Sequence, residues 1–329
     1  MSSDRADFES TVGALRAIAE PTRLRIIALL RHGECSVSDL CEILGPPPQS
    51  QPRISRHLRL LGESGLITRH REGTWAFHRL TVDPSLTPII DASIPDDEDA
   101  VLRSDLERLG EVRVRRAAAA HDHFAAIAPL WDTERSLLVD DEIIEARLLD
   151  IIGDDEAGTV VDVGTGTGRM LVLLADRAQR LIGLDTNHSM LSVARANLDR
   201  AGIHHAELHH GDLHNPPTGL PGGDLVIVHQ VLHHLDDPDR ALTHIARLVS
   251  PGGRVVIVDL AAHNDETMRT RHAHRRLGFS NEQIDAWLAE AGCSEPTVDV
   301  LRPDGASSAR LTVMIWTAQR LTETSGSRR

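Results

Sequence analysis

Residues 160–168 read Val-Val-Asp-Val-Gly-Thr-Gly-Thr-Gly. Three β-branched residues around one acid, Asp162, predict a strand. Glycines then stand at 164, 166 and 168, and Arg169-Met170-Leu171-Val172-Leu173-Leu174 opens a helix. Strand, tight glycine turn and helix form the first unit of a doubly wound sheet, whose ligand crevice lies at the carboxyl ends of its strands. Glycine suits that turn because a side chain would hold the backbone away from a ligand and because the turn calls for positive φ. Taken alone, the glycines permit a dinucleotide site, a phosphate loop or a plain turn. The dinucleotide pattern is G-x-G-x-x-G; here the third glycine falls one position early, before Arg169.

The chain after this turn repeats strand and helix. Residues 181–185 predict a second strand ending in Asp185, where a ribose-binding carboxylate belongs in a nucleotide-binding sheet. A helix is expected over 190–201, a third strand over 207–212, and a fourth over 224–229. Residues 233–235 and 239–249 read as helical, 254–260 as a fifth strand, 281–291 as a helix, and 297–301 with 311–317 as a final strand pair. The series VDVGTGTGR, LDTN, GDLHNPP, DLVIVHQVLHHLDDP and LVSPGGRVVIVDL resembles the class I S-adenosylmethionine-dependent methyltransferases over about residues 124–320.

That resemblance implies an α/β fold with a Rossmann-like seven-stranded methyltransferase sheet. It implies S-adenosyl-L-methionine as cofactor, with S-adenosyl-L-homocysteine as product, and a small-molecule methyl acceptor. By position, Gly164, Gly166 and Gly168 would pass close to the methionyl part of the donor, and Asp162 would support their loop. Asp185 would hold the ribose hydroxyls, and Asp212 and Leu213 would flank adenine. His229 and Gln230 would face the methionyl end and the reacting methyl. A sulfonium is already activated, so such a site mainly aligns donor and nucleophile and removes a proton. The candidate catalytic residues are His229, His233 and His263; His234 and Asp259 stand beside them as further candidate bases, since histidine titrates near neutrality.

A second pattern lies upstream. Phe8, Val12 and Leu15 have helical spacing. Pro21 suits the first position of a helix over 22–31, which Gly33 stops. Ser36 followed by Asp39 is a capping-box-like start for a third helix, with Val37, Leu40, Cys41 and Leu44 as its expected buried face. From Ser50 a fourth helix puts Ile54, Leu58 and Leu61 on one side and Arg53, Ser55, Arg56 and Arg59 mainly on the other. Residues 66–71 and 74–80 read as a hairpin about Glu72-Gly73.

The segments EPTRLRIIALL, VSDLCEILG, SQPRISRHLRLLGESGLI and REGTWAFHRL resemble the ArsR/SmtB winged helix-turn-helix repressors over about residues 10–80. The resemblance implies a homodimer reading a double-stranded DNA operator. Gln51, Arg53, Ser55, Arg56 and His57 would lie at the major groove, and the wing arginines Arg69, Arg71 and Arg79 at phosphates. Metal-sensing members carry Cys-Val-Cys where this chain has Ser36-Val37-Ser38. A soft-metal site needs several converging thiolates, so no metal site is expected there. Neither is one expected at His121-Asp122-His123, where adjacent helical residues point about 100° apart.

Charge divides the chain in the same place. The net charge of −14 hides a stretch, residues 1–80, with 11 arginines against 9 acids, while residues 81–329 hold 24 against 40. A locally basic module on an acidic chain still binds nucleic acid. At 329 residues the chain exceeds the roughly 250–300 at which single cores stop growing. The expected domains are a winged helix over 1–82, a linker and dimerisation helix over 83–123, the methyltransferase over 124–320, and a disordered tail over 321–329. No apolar run approaches the roughly 18 residues of a membrane span, and the first ten residues lack a signal pattern, so a cytoplasmic protein without a membrane partner is expected. The three scattered cysteines imply no disulfide framework. Only Cys293 falls in the second half, which counts against arsenite methylation.

The sequence leaves three functions open. One is a DNA-binding regulator that methylates a small molecule. Another is a regulator whose methyltransferase fold senses S-adenosylmethionine or S-adenosylhomocysteine without chemistry. The third is a plain methylase whose N-terminal module only dimerises.

Overall fold

The computed structural model describes residues 8–45, 49–72, 75–83, 85–95, 99–115, 139–155, 157–212, 220–271, 274–303 and 311–322. The chain divides near residue 120 into two compact units.

The first unit opens with α1 (Phe8–Ile18) and α2 (Pro21–Arg31). Pro21 begins α2, and the Glu20 carboxylate caps it by accepting the Arg23 N–H at 2.8 Å. The capping box of α3 (Val37–Ile43) also forms: Ser36 Oγ accepts from the Asp39 N–H, and Asp39 Oδ2 accepts from the Ser36 N–H at 2.7 Å. Ser36 and Ser38 hydroxyls bond to each other at 2.8 Å. The positions expected for thiolates in metal-sensing members therefore close a helix cap in this chain. The expected burial of Cys41 changes. Cys35 is the buried thiol, in the two-residue strand β1 (Cys35–Ser36), while Cys41 is half-buried. A two-residue strand is too short to show the alternation that marks strands in sequence.

Ile54, Leu58 and Leu61 of α4 (Gln51–Glu63) are buried as their spacing predicts. The wing is β2 (Ile67–Glu72) against β3 (Trp75–Leu80), and the three-stranded sheet runs β1-β3-β2. The stretch read as a linker is folded. It holds α5 (Thr87–Ser93) and α6, which is helical over 100–115. Leu86, Ile90, Ile94, Leu102, Leu109 and Val112 enter the same core as Ile26, Leu40 and Ile54. The rest of the expected helix, with His121 and His123, lies outside the described residues.

Asp105 of α6 is fully buried and accepts two hydrogen bonds from Arg25, each 2.6 Å, and one from Arg108. Asp105→Ala leaves two guanidinium groups without their carboxylate. It is expected to lower stability by about 2–3 kcal/mol, below the usual cost of breaking a buried pair because both arginines keep some solvent contact. Urea unfolding reads this loss, and a change under about 0.5 kcal/mol would make the network incidental.

The second unit is a seven-stranded sheet in the order β6-β5-β4-β7-β8-β10-β9. Its strands are β4 (Ala157–Val163), β5 (Ala178–Asp185), β6 (Ala206–His210), β7 (Gly223–His229), β8 (Val249–Leu260), β9 (Thr297–Leu301) and β10 (Val313–Gln319). The first five are parallel neighbours, and β10 is antiparallel to both β8 and β9. The chain starts at β4, moves outward to β5 and β6, then returns to β7 on the other side of β4. That reversal opens a crevice above β4 and β7.

The helices of this unit are α7 (Asp141–Ile152), α8 (Arg169–Leu173), α9 (His188–Arg200), α10 (Pro238–Leu248), α11 (Thr267–Arg271) and α12 (Asn281–Glu290). One face of the sheet packs Val161, Ile182, Val226 and Ile257 against Leu242 and Ile245 of α10 and Ile284 and Leu288 of α12. Trp316 of β10 is fully buried and donates its indole N–H to Asn281 Oδ1 at 2.9 Å, the polar partner a buried tryptophan needs. Among the described residues, no helix is long and apolar enough to cross a membrane.

Candidate functional site

The glycine turn is fixed from below and open above. Gly164 and Thr165 both donate their N–H to the Leu184 carbonyl at 2.8 Å, which pins the turn over β5. Gly164 has φ +73°, and a Cβ there would meet Val231 Cγ2 at 2.4 Å. Gly166 has φ +51°, and the nearest atom to its added Cβ lies 3.9 Å away. Gly166 thus opens to the cleft. Gly168 is buried, and a Cβ there would meet Ala194 of α9 at 3.1 Å.

The cleft beside this turn encloses about 860 Å³ of space that runs out into open solvent. Asp162, Gly164, Gly166, His229, Gln230 and His233 of the expected set line it. Asp162 is buried and accepts the Thr165 hydroxyl at 2.6 Å. Burial pushes its carboxyl up to about 7; the Thr165 bond opposes that rise and the nearby Asp185 adds to it. Asp185 borders the cleft through the Gly166 N–H, which it accepts at 2.8 Å, and its other oxygen accepts from the Asn187 N–H at 2.8 Å. Burial raises its carboxyl too, while those N–H groups and His210 oppose the rise. Asp212 is exposed beyond β6, and Leu213 lies outside the described residues.

Gln230 is the one described non-glycine residue with positive φ, at +58°. Its N–H donates to the Val258 carbonyl at 2.8 Å. Its side-chain Nε2 is buried with no hydrogen-bond partner among the described residues. A strained backbone holding an unfilled donor at a cleft makes Gln230 a candidate ligand contact.

Beyond Gln230, residues 232–234 form a 3₁₀ turn. His233 is 1% exposed, and its Nδ1 lies 2.8 Å from Asp259 Oδ1. Its Nε2 lies 3.0 Å from His234 Nε2. The His274 ring tilts against His233 at 4.2 Å between centroids. Burial alone would raise Asp259; the charge and hydrogen bond of His233, with the Leu260 and His233 N–H groups, outweigh it and hold the carboxyl below its usual value.

His263, a candidate catalytic residue, does not line this cleft. It sits in a separate depression with Arg269, Phe279 and Trp287, because the chain turns away after β8. Burial first, then the His274 and His233 rings, lowers its pKa against the pull of Asp265.

One pair in the cleft wall escaped the sequence reading. Arg169 grips Glu145 of α7 through two bonds of 2.6 Å. Arg169 directly follows the glycines, which is a signal of sorts; nothing in the spacing of α7 singles out Glu145.

In the first unit, Gln51, Arg53, Ser55 and Arg56 lie along the exposed side of α4, and Arg69 is exposed on β2. Arg79 is half-buried, and the Arg71 side chain lies outside the described residues. His57 is less exposed than these α4 neighbours. It turns to the flank, 3.6 Å from Glu20 at the start of α2. Burial lowers its pKa, with Arg23, Arg53 and Arg56 adding to the fall and Glu20 opposing it. No group of three or more metal-ligating side chains occurs among the described residues.

Residues 20–69 match the bacterial regulatory protein arsR family, and residues 161–257 match the methyltransferase domain family. The arsenic resistance transcriptional regulator of Pseudomonas putida is 36% identical over 104 residues, 30% of this chain and 77% of that protein. The chain belongs to the arsR family and carries a methyltransferase domain. A second arsR-type relative, the arsenical resistance operon repressor of Escherichia coli, is 49% identical over 75 residues, 22% of this chain; the chain spans 62% of its length. On the methyltransferase side, the trans-aconitate 2-methyltransferase of Azoarcus is 32% identical over 142 residues, 42% of this chain and 53% of that enzyme.

Proposed function

We propose that this arsR-family chain is a DNA-binding regulator whose second unit moves a methyl group from S-adenosylmethionine to a small molecule. The observation that carries the reading is the cleft at the strand-order reversal, where Gly166 opens inward and Gln230 Nε2 awaits an acceptor. These residues fit the donor. Gly164 and Gly166 admit its methionyl part, Asp185 accepts from its ribose hydroxyls, and Asp212 flanks adenine. His229 and Gln230 face the reacting end. When bound, the donor supplies an activated methyl group. The likeness to a methyltransferase of a small acid supports a small-molecule acceptor.

The exposed arginines of α4 and β2 meet operator DNA, Arg53 and Arg56 at the groove and Arg69 at phosphate. Phe8 and Leu15 on α1 and Val101 and Val114 on α6 are exposed apolar side chains, which supports a homodimer built on these helices.

Calorimetry with S-adenosylhomocysteine tests the cofactor half. The wild type is expected to bind, and Asp185→Ala to bind at least about tenfold more weakly, the worth of hydrogen bonds to a charged group. A wild type that binds none ends the reading. Titration of DNA from the gene's own upstream region tests the other half. Arg69→Ala is expected to weaken it and to flatten the salt dependence by about one unit of slope, the effect of losing one phosphate contact.

A further inference from the structure

We infer that the depression beyond β8 binds a second small molecule, an aromatic monocarboxylate held through Arg276, His263 and Gln283 with its ring on Trp287. This goes beyond the methyltransferase reading and does not rest on it. Among the described residues, none lines both the depression and the cleft at the glycine turn. A methyl acceptor has to reach that cleft, so the occupant of the depression is another ligand.

The wall of the depression is built by backbone pairing. The chain leaves after β8 and returns at residue 277. There the His263 N–H donates to the Leu277 carbonyl at 3.0 Å, the Ala262 N–H to the Phe279 carbonyl at 3.1 Å, and the Phe279 N–H to the Leu260 carbonyl at 2.9 Å. Gly278, at φ +70°, lets the two segments close, since a Cβ there would meet the Ala261 carbonyl oxygen at 2.1 Å. The wall is therefore in place before a ligand arrives, which spares the cost of ordering it on binding.

Two of the donors are fixed by backbone N–H groups. The Asp265 N–H donates to His263 Nδ1 at 3.2 Å. A ring nitrogen that accepts carries no proton, so the proton of His263 sits on Nε2. Burial, more than any other factor, keeps this ring neutral. The Nε2–H is itself buried and has no hydrogen-bond partner among the described residues, and a buried donor costs free energy until an acceptor meets it. Gln283 is oriented in the same way. Its Oε1 accepts the Ser280 N–H at 3.0 Å in the capping box of α12, which leaves its NH₂ group to donate. Trp287, one turn further along α12, is half-buried and packs edge to face with Phe279 at 5.8 Å between centroids.

Charge selects an anion. Two carboxylates line the depression, and each has its own counterpart. Glu266 is matched by Arg269, 3.3 Å away. Asp239 lies in the first turn of α10, where the helix start carries partial positive charge. Arg276 is exposed, and its guanidinium donates to the Asp236 carbonyl, with no carboxylate partner among the described residues. One unmatched guanidinium and two neutral donors suit one carboxylate, which a guanidinium engages through two parallel bonds.

The chain has four tryptophans, so fluorine NMR of the full-length protein labelled with 5-fluorotryptophan reads the site directly. Loss of one signal in Trp287→Phe assigns Trp287. Benzoate, phenylacetate and cinnamate are the probes. At least one of them is expected to move the Trp287 signal saturably, with a Kd below about 5 mM. The signal of Trp316, buried in the core, should stay in place. Arg276→Gln is expected to weaken binding at least about tenfold and His263→Leu at least about threefold, as charged and neutral hydrogen bonds differ. Arg275→Gln, whose arginine reaches Asp236 instead, should change it by less than about twofold. A Trp287 signal unmoved by all three acids overturns the site, and so does wild-type affinity in either variant. An equal response to benzamide overturns the carboxylate. The Trp316 signal reports folding, and Arg276→Gln, at an exposed position, carries the test should His263→Leu not fold. S-adenosylhomocysteine keeps the two sites apart: an unchanged shift in its presence supports a second site, and a shift it abolishes overturns it. Absent binding of S-adenosylhomocysteine removes the methyltransferase reading and leaves this site standing.

Discussion

Asp162→Asn is expected to stabilise the ligand-free protein at pH 8 far more than at pH 5. The unfolded carboxyl titrates near 3.9, whereas burial moves the folded one to about 7. Between those values the folded chain holds a proton that the unfolded chain has released. The stability this proton contributes is fully present below about pH 4, falls as pH rises, and is gone above about pH 7. The gap between the two titration points sets a ceiling of about 4 kcal/mol, at about 1.4 kcal/mol for each pH unit it spans. Asparagine has no proton to lose, and its carbonyl still accepts the Thr165 hydroxyl. Its NH₂ group needs a partner, which trims the gain by about 1–2 kcal/mol at every pH. The difference between variant and wild type is therefore expected to grow by about 2–3 kcal/mol from pH 5 to pH 8. Differential scanning calorimetry across that range measures it. A difference that stays flat with pH would mean Asp162 is ionised in the folded protein throughout. Asp259, held below its usual value, changes its contribution only below about pH 4 and with the opposite sign, and the comparison between the two proteins isolates Asp162.

Gly164→Ala is expected to destabilise the second unit by about 2–5 kcal/mol. Left-handed backbone at φ +73° costs an L-residue about 1–2 kcal/mol. The added methyl meets Val231 Cγ2 at 2.4 Å, and overpacking of that kind adds about 1–3 kcal/mol. The turn cannot drift aside, because the Gly164 and Thr165 N–H groups are tied to Leu184. Gly166→Ala shares the backbone cost alone, since the nearest atom to its Cβ lies 3.9 Å away. Chemical unfolding of both variants separates backbone cost from overpacking. Val231→Ala should recover part of the loss at Gly164 and none at Gly166. Equal losses at the two glycines would mean that packing against Val231 plays no part.

Both substitutions fall in the stretch that was most legible in sequence. Valines around an acid, followed by alternating glycines, define strand and turn within nine residues. The Pro21 helix start, the Ser36–Asp39 capping box and the Ile54, Leu58 and Leu61 stripe were legible for the same reason. Each is decided by atoms within one or two helical turns. The cleft-lining residues Asp162, Gly164, Gly166 and Gln230 could be named as candidates because the resemblance runs along the chain, motif by motif.

What the sequence by itself determined, then, is the set of local elements, their order and the two kinds of unit they build. The tertiary structure decided how distant side chains meet. His233 and Asp259 are 26 residues apart, and Arg25 and Asp105 are 80 apart; no periodicity links either pair. Burial turned Asp162 into a group that titrates near 7, and the strand-order reversal set Gln230 beside the glycine turn. The stretch after residue 83 looked like a linker because prolines and acids dominate it locally. It folds because Leu86, Ile90 and Leu102 find apolar partners far back in the chain. Turn chemistry and helix caps act over a few residues, whereas desolvation and charge pairing depend on which surfaces close over a group, and that is known only once the whole unit has packed.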